Sequence, residues 1–201
     1  IGGTDMDRLL SVKQVMPLFG LNSKSRDGRR NLPVWPFHDL ATWHRINSLS
    51  DPKALASLRA IEKDAGRPDL FGRLLSVVEH RDGHRLAGQV EQAKVMLSTH
   101  DTYLSSVAGL DDQMVNFDRA RFEEDVSGHV ERLRFTCLET VKAAGVATDK
   151  VDAVFLTGGT TQIPVVGAML RKTFPDSQFV QGDVFGSVGL GLALEASRIF
   201  G

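Results

Sequence analysis

Apolar residues recur at three- and four-residue steps along most of the chain and gather into short runs near its end. The stepped pattern is typical of amphipathic helices, and the short runs bounded by turn residues are typical of strands. It predicts helices over residues 4 to about 20, 51–65, 70–80, 84–100 and 118–144, with two more after Pro164 and Asp183. Strands are predicted at 103–108, 113–117, 151–157 and 178–180, so the fold class is α/β.

Two of these stretches lead to specific expectations. The helix over 118–144 carries a stripe that we expect to be continuous core, formed by Phe122, Val126, Val130, Leu133, Cys137 and Val141. Residues 21–49 are less regular, and LPVWPFHDL has two prolines in it. This second stretch therefore predicts an ordered, non-helical loop packed by Trp35 and Phe37.

The run VDAVFLTGGTTQIP predicts a strand, a glycine turn and a helix. Gly158 and Gly159 allow a sharp turn, Thr160 and Thr161 are suitable N-cap residues, and Pro164 fits a first helical turn. A helix N-terminus behind glycines presents free N–H groups to an anion. The alternative, which the spacing alone favours, is a plain strand-to-helix turn with glycines for tight packing.

A polar strip runs along the helix predicted over residues 84–100. Glu91, Lys94 and Ser98 share one face, opposite the apolar stripe of Leu86, Val90, Ala93 and Leu97. The strip either faces a ligand or is a solvated face with a weak Glu91–Lys94 pair, worth about 0.2–0.5 kcal/mol. The pattern by itself favours the solvated face.

Composition narrows the function classes. The 201 residues are 42% hydrophobic and 24% charged, as in an ordinary soluble protein, and the net charge of −1 gives no reason to expect nucleic acid or a membrane as partner. The single cysteine, Cys137, indicates a reducing compartment and a small core residue rather than a catalytic thiol. His80 and His84 are interrupted by Asp82-Gly83, so we expect surface residues and no metal pair.

Several motifs occur together in the order found in one known family. LTGGTTQIP resembles the LVGGSTRIP motif of the DnaK-type heat-shock chaperones. GGTDMDRLL, EQAKVMLS, RARFEE and GDVFGSVGLGLALEA resemble further blocks of that family, in the same order. The stretch MPLFG and the insertion after it are similar to the YegD-like branch.

This resemblance implies the actin-like ATPase fold, related to ribonuclease H, with nucleotide held between two lobes. Only the second lobe is matched: residues 1–115 as an outer subdomain with a long insertion, and 116–201 as an incomplete inner subdomain. The first lobe would supply a phosphate loop, a lysine and metal-binding aspartates, so Mg²⁺ is expected only with that lobe. Because the chain opens at Ile1 on a glycine turn, we expect a fragment. The sequence offers no metal-binding or charged group near Gly158 to position a γ-phosphate, so we expect the full-length protein to be an ATPase but this fragment not to hydrolyse ATP by itself.

The same resemblance implies roles for individual residues around ATP or ADP. Those assigned to the phosphates and adenosine are Gly158, Gly159 and Thr160, those assigned to the ribose are Glu91 and Lys94, and Ser98 is assigned to the adenine. Asp183 matches an acidic position at the edge of the cleft.

Two positions depart from the family pattern. Val95 and Gln162 stand where the family commonly has arginines that sandwich the adenine. Each such stack contributes on the order of 0.5–2 kcal/mol. Their replacement therefore predicts nucleotide binding that is weaker or less specific for adenine.

Three functions stay open at this point. The first is the nucleotide-binding lobe of a cytoplasmic DnaK-like stress-response chaperone, with unfolded clients or co-chaperones as partners. The others are a different actin-like kinase or ATPase, and a pseudo-ATPase that acts as an interaction module. The ordered motifs favour the first, and Val95 and Gln162 support the third.

Overall fold

The computed structural model describes residues 1–111, 113–182 and 187–200, which form eight α-helices and four strands. Asp183 lies outside these described residues. The helices are α1 (Gly3–Leu10), α2 (Trp35–Leu40), α3 (Pro52–Asp64), α4 (Pro68–Glu79), α5 (Gly83–Leu97), α6 (Arg119–Ala143), α7 (Pro164–Thr173) and α8 (Ser187–Phe200). The strands are β1 (Thr102–Ser106), β2 (Met114–Asp118), β3 (Ala153–Leu156) and β4 (Gln178–Gln181).

The chain divides into two compact units. The first unit is Thr4–Asp125, and the second is Ile1–Gly3 with Val126–Gly201. The first unit has a core of fully buried aromatic and aliphatic side chains, in which the rings of Phe37 and Phe71 meet edge to face at 5.8 Å. Within the described residues no helix is both long enough and apolar enough to cross a membrane.

The first predicted helix has irregular geometry after Leu10. It continues as a π-helix over Ser11–Val15 and as a 3₁₀-helix over Met16–Phe19, and it ends at Gly20 with φ of +100°. Pro17 has no N–H for the helical ladder, which explains why a regular α-helix stops before it. The predicted end is confirmed, and the wide π turn is a feature that often occurs at functional sites.

The prediction of a non-helical loop around Trp35 is wrong, because Trp35–Leu40 form α2. Pro36 lies in the first turn, where its missing N–H breaks no helical bond. Phe37 is fully buried, as expected of a packed aromatic. Burial of this face stabilises a helix that six residues could not form alone.

The remaining elements of the first unit agree closely with the pattern. α3, α4 and α5 begin and end within a few residues of the predicted positions. β1 and β2 pair antiparallel, with Thr102 opposite Asp118 and Ser106 opposite Met114, as the predicted hairpin requires. Asp118 also caps α6, since its Oδ1 accepts the backbone N–H of Arg121 at 2.8 Å.

The second unit contains a two-stranded parallel sheet. β3 pairs with β4 and, within the described residues, with no other strand, so its second edge is unpaired there as predicted. The Phe155 side chain is 73% exposed, although Phe usually lies in a core. The unit therefore has an open strand edge next to uncovered apolar surface.

The expected continuous core stripe on α6 holds only for its first half. Phe122, Val126 and Val130 are buried, whereas Leu133, Cys137 and Val141 are half-buried. Next to this second half lies a groove of about 580 Å³, lined by Leu138 and by Met169 of α7 among others. Since Leu133, Cys137 and Val141 stay half-buried, the later part of the stripe does not form close-packed core.

Candidate functional site

The glycine turn after β3 has the backbone that the sequence predicts. Gly158 has φ of +83° and ψ of 149°, a region open essentially only to glycine. Gly159–Gln162 then form one 3₁₀ turn, and Pro164 starts α7. The prediction that Thr160 or Thr161 caps this helix is wrong, because the 3₁₀ turn intervenes and Ile163 occupies the cap position.

Two hydrogen bonds hold this turn in shape. The Thr161 hydroxyl donates to the carbonyl oxygen of Gly158 at 2.8 Å, and Gln162 Oε1 accepts from Gln181 Nε2 at 3.2 Å. A Cβ added at Gly158 or Gly159 would meet no atom within 4 Å. The turn is thus held by hydrogen bonds of the Thr161 and Gln181 side chains, and space is open beside its two glycines.

The polar strip on α5 consists of residues with very different exposure. Glu91 is exposed, Ser98 is half-buried, and Lys94 is 8% exposed. Val95, at one of the two positions that depart from the family pattern, is 53% exposed. The interpretation of the strip as a uniformly solvated face is therefore wrong at Lys94.

Lys94 pairs with a residue of α1 rather than with Glu91. Its Nζ lies 2.8 Å from Asp7 Oδ1, and the two side chains are 9% and 20% exposed. Among the described residues no Glu91–Lys94 ion pair forms, so the expected weak surface pair is also wrong. A lysine this deeply buried requires a counter-charge, and Asp7 supplies it.

The electrostatics of Asp7 are dominated by its burial. Burial raises the pKa of its carboxyl above the ordinary value of 3.8, Lys94 opposes that rise, and the charge of Glu91 adds to it. The raised pKa means that Lys94 only partly offsets the cost of removing the Asp7 carboxylate from water. The burial of the Asp7 carboxylate is therefore only partly compensated by Lys94.

Asp7 is the functional candidate that the sequence pattern did not single out. It lies in a short helix with Met6 and Leu10, which are the fully buried residues there. The sequence offers one signal for this pair. Asp7 stands among apolar residues of one helix, and Lys94 is a basic residue of another helix. Neither stretch by itself shows that the two are partners.

The other residues singled out from the sequence are divided between the two units, or lie where the described residues form no metal-binding cluster. Glu91, Lys94 and Ser98 belong to the first unit, whereas Gly158, Gly159, Thr160 and Gln162 belong to the second. His80 and His84 are exposed, and the described residues contain no His, Cys, Asp and Glu cluster able to hold a metal ion. Burial raises the pKa of the Cys137 thiol, which disfavours the reactive thiolate.

Comparison with known families places both the α5 strip and the glycine turn in one matched segment. A family model described as Hsp70 protein matches residues 77–197, more than half of the chain. The chain belongs to the Hsp70 family. Its segment from α4 to α8 is the part that carries this membership.

Individual relatives of this Hsp70-family chain are chaperones named HscA. The protein from Yersinia enterocolitica is 30% identical over 128 residues, which are 62% of this chain and 20% of the relative. That from Escherichia coli K12 is 28% identical over 141 residues, which are 70% of this chain and 21% of the relative. The chain thus spans about a fifth of the length of the curated relatives it matches.

Proposed function

We propose that this chain contributes one wall of the ATP/ADP-binding cleft of a DnaK-like molecular chaperone. The observation that carries the proposal is the turn at Gly158, where a glycine-only backbone conformation leaves open space beside Gly159. Backbone without side chains is what close approach to a phosphate requires. In this proposal Gly158, Gly159 and Thr160 face the phosphates and adenosine, and Asp183 lies at the cleft edge.

The α5 strip supplies the nucleoside contacts in this proposal. Glu91 is exposed and accepts hydrogen bonds from ribose hydroxyls, and Ser98 faces the adenine. Lys94 Nζ lies 2.8 Å from Asp7 Oδ1, and an ammonium group has three N–H donors, of which one can reach a ribose oxygen. The ion pair with Asp7 would then hold the lysine in position.

We further propose that residues 1–115 and 116–201 correspond to the outer and inner subdomains of the second lobe of an actin-like fold. The unpaired edge of β3 and the exposed Phe155 support this proposal, since further strands of a larger sheet would cover both. Mg²⁺ and the groups for hydrolysis would come from the first lobe. The stretch MPLFG supports placing the chain in the YegD-like branch.

The experiment that tests the phosphate wall is calorimetric titration of ADP into the full-length protein, unmodified and with Gly159→Ala. A Cβ at position 159 meets no protein atom, so the variant should stay folded. It projects into the space assigned to the ligand, so we expect affinity for ADP to fall about tenfold or more. Gly128→Ala is the matched control, because a Cβ there also meets nothing.

If ADP binds equally to the unmodified protein and to Gly159→Ala, the glycine turn is not the phosphate wall. If ADP does not bind at all, the pseudo-ATPase reading is preferred. Val95 and Gln162 are the observations that support this second function, an interaction module without nucleotide turnover. Client proteins, co-chaperones and a cytoplasmic location belong to the proposal that the full-length protein acts as a chaperone.

A second prediction concerns the side chain at position 95. Val95 is exposed on α5 one turn from Glu91, so a longer side chain fits there without repacking the core. We expect Val95→Arg to tighten ADP binding about two- to fivefold, because a guanidinium stacked on adenine adds on the order of 0.5–1 kcal/mol at an exposed site. The control is Val95→Gln, which lengthens the side chain without adding a positive charge. Equal affinities for all three forms would place the adenine elsewhere.

A further inference from the structure

The first unit contains a cavity that borders the proposed nucleoside contacts, since Glu91 lines it as well. It has a volume of about 310 Å³ and lies between α1, α5 and the segment that follows α2. This is at the lower end of the range for small-molecule sites. Its apolar walls include Leu40, Leu86 and Val90, all of them buried.

The polar side chains that line this cavity belong to Thr4, Asp7, Ser11, His84 and Glu91. Asp7 and Glu91 both line it, and among the described lining residues none is Lys or Arg. Lys94 pairs with Oδ1 of Asp7, but Glu91 forms no ion pair with any described residue. An anionic ligand is therefore disfavoured here, whereas a donor with a positive charge is favoured.

Ser11 provides an independent indication of a missing hydrogen-bond partner. It lines the cavity from the π-helical turn and is 3% exposed. Its hydroxyl has no partner among the described residues, although buried hydroxyls normally have one. The hydroxyl is closed to solvent and has a hydrogen bond left to make.

Trp43 adds an aromatic wall to these groups. Its side chain borders the cavity and is 58% exposed, which is unusual for tryptophan on a surface without a partner. An indole face attracts ammonium groups, and a carboxylate beside it strengthens the site. An aromatic ring, two carboxylates and an apolar floor are together the groups that recognise an organic cation.

We propose that this cavity binds a small organic ammonium ion with an apolar body, held by Glu91, Asp7 and Trp43. The ammonium group donates to the Glu91 and Asp7 carboxylates and lies against the Trp43 ring, and the body contacts Leu40 and Val90. The proposal does not require a bound nucleotide, but Glu91 is shared with the proposed ribose contact, so nucleotide and amine would compete for this carboxylate.

The test is calorimetric titration of benzylamine into the nucleotide-free full-length protein, with the neutral isostere benzyl alcohol as comparison ligand. We expect benzylamine to bind with a dissociation constant on the order of 1 mM, and benzyl alcohol at least tenfold more weakly. Glu91→Gln and Trp43→Ala should each weaken benzylamine binding about fivefold or more, and Trp43→Phe should restore part of it. Glu124→Gln is the matched control, an exposed carboxylate that does not line the cavity.

Three outcomes would overturn the proposal. They are equal affinity for the amine and the alcohol, no detectable binding of benzylamine, and binding that Glu91→Gln and Trp43→Ala leave unchanged while circular dichroism shows both folded. Adenosine binding that depends on Trp43, in the absence of amine binding, would instead assign the cavity to a nucleoside. A lysine-containing peptide is the second probe. Binding of this peptide would indicate that the cavity accepts a lysine side chain of another protein as well as a small free amine.

Discussion

Lys94→Met is expected to lower the free energy of unfolding by about 2–4 kcal/mol at pH 7, as for other broken buried ion pairs. The substitution keeps most of the apolar stem but removes the charge 2.8 Å from Asp7 Oδ1. The Asp7 carboxylate would then be buried without a cation and next to Glu91. Chemical denaturation of the unmodified chain and the variant measures the difference.

The stability lost in Lys94→Met should depend on pH, in a direction set by protonation of the Asp7 carboxyl. Burial already raises its pKa above 3.8 in the folded state, and removing Lys94 takes away the interactions that lower it. A folded state with the higher pKa binds more protons than the unfolded state, so stability falls as pH rises above 3.8 through the folded pKa. The defect of Lys94→Met should therefore shrink when denaturation is repeated near pH 4.

Two controls separate the buried pair from a general effect of losing lysine. Lys142→Met removes an exposed lysine 3.8 Å from Glu139, and we expect a change below about 0.5 kcal/mol. The double variant Asp7→Leu with Lys94→Met removes both charges and should recover most of the lost stability. A defect in Lys94→Met no larger than in Lys142→Met, or independent of pH, would contradict the burial of the pair.

Gly158→Ala is the second substitution with a large expected effect, a loss of about 1–3 kcal/mol. A Cβ at this position meets no atom within 4 Å, so the loss arises from the backbone and not from crowding. With φ of +83° and ψ of 149°, an alanine must either stay in a strained region or move the turn that joins β3 to α7. Thermal unfolding, monitored by circular dichroism, measures the stability that Gly158→Ala loses.

Gly159→Ala is the matched comparison in the same turn. Gly159 has no positive φ and the same open space around an added Cβ, so we expect its stability to change by less than about 1 kcal/mol. The adjacent pair thus separates strain from ligand contact. We expect the substitution at position 158 to affect folding and, under the proposed function, the substitution at position 159 to affect ADP binding. Equal stability of the two variants would contradict the backbone conformation of Gly158.

Periodicity was sufficient for most elements of the fold because their signals are local. α3, α4 and α5 have apolar stripes bounded by Pro52, Pro68 and Gly83, and the hairpin strands flank a turn rich in Gly and Asp. The glycine turn was also predictable, since a strand followed by two glycines and Pro164 leaves few backbone alternatives. Family membership followed from ordered motifs, which need no tertiary information.

α2 was missed because two prolines in a short segment are a strong signal against helix, and only burial of Phe37 outweighs them. The second half of α6 was overestimated for the converse reason. Its apolar spacing is regular, but spacing does not show whether another element packs against it, and a groove lies beside it instead.

The amino-acid sequence by itself determined the order of the helices and strands apart from α2, the turn at Gly158 and the Hsp70 family of this chain. Only the tertiary structure decided that Lys94 is buried against Asp7 and that Trp43 borders a cavity with Glu91. The physical reason is that helical spacing specifies which residues share a face, whereas burial depends on what packs against that face. Charge pairing between α1 and α5 is such a non-local property, and no local pattern contains it.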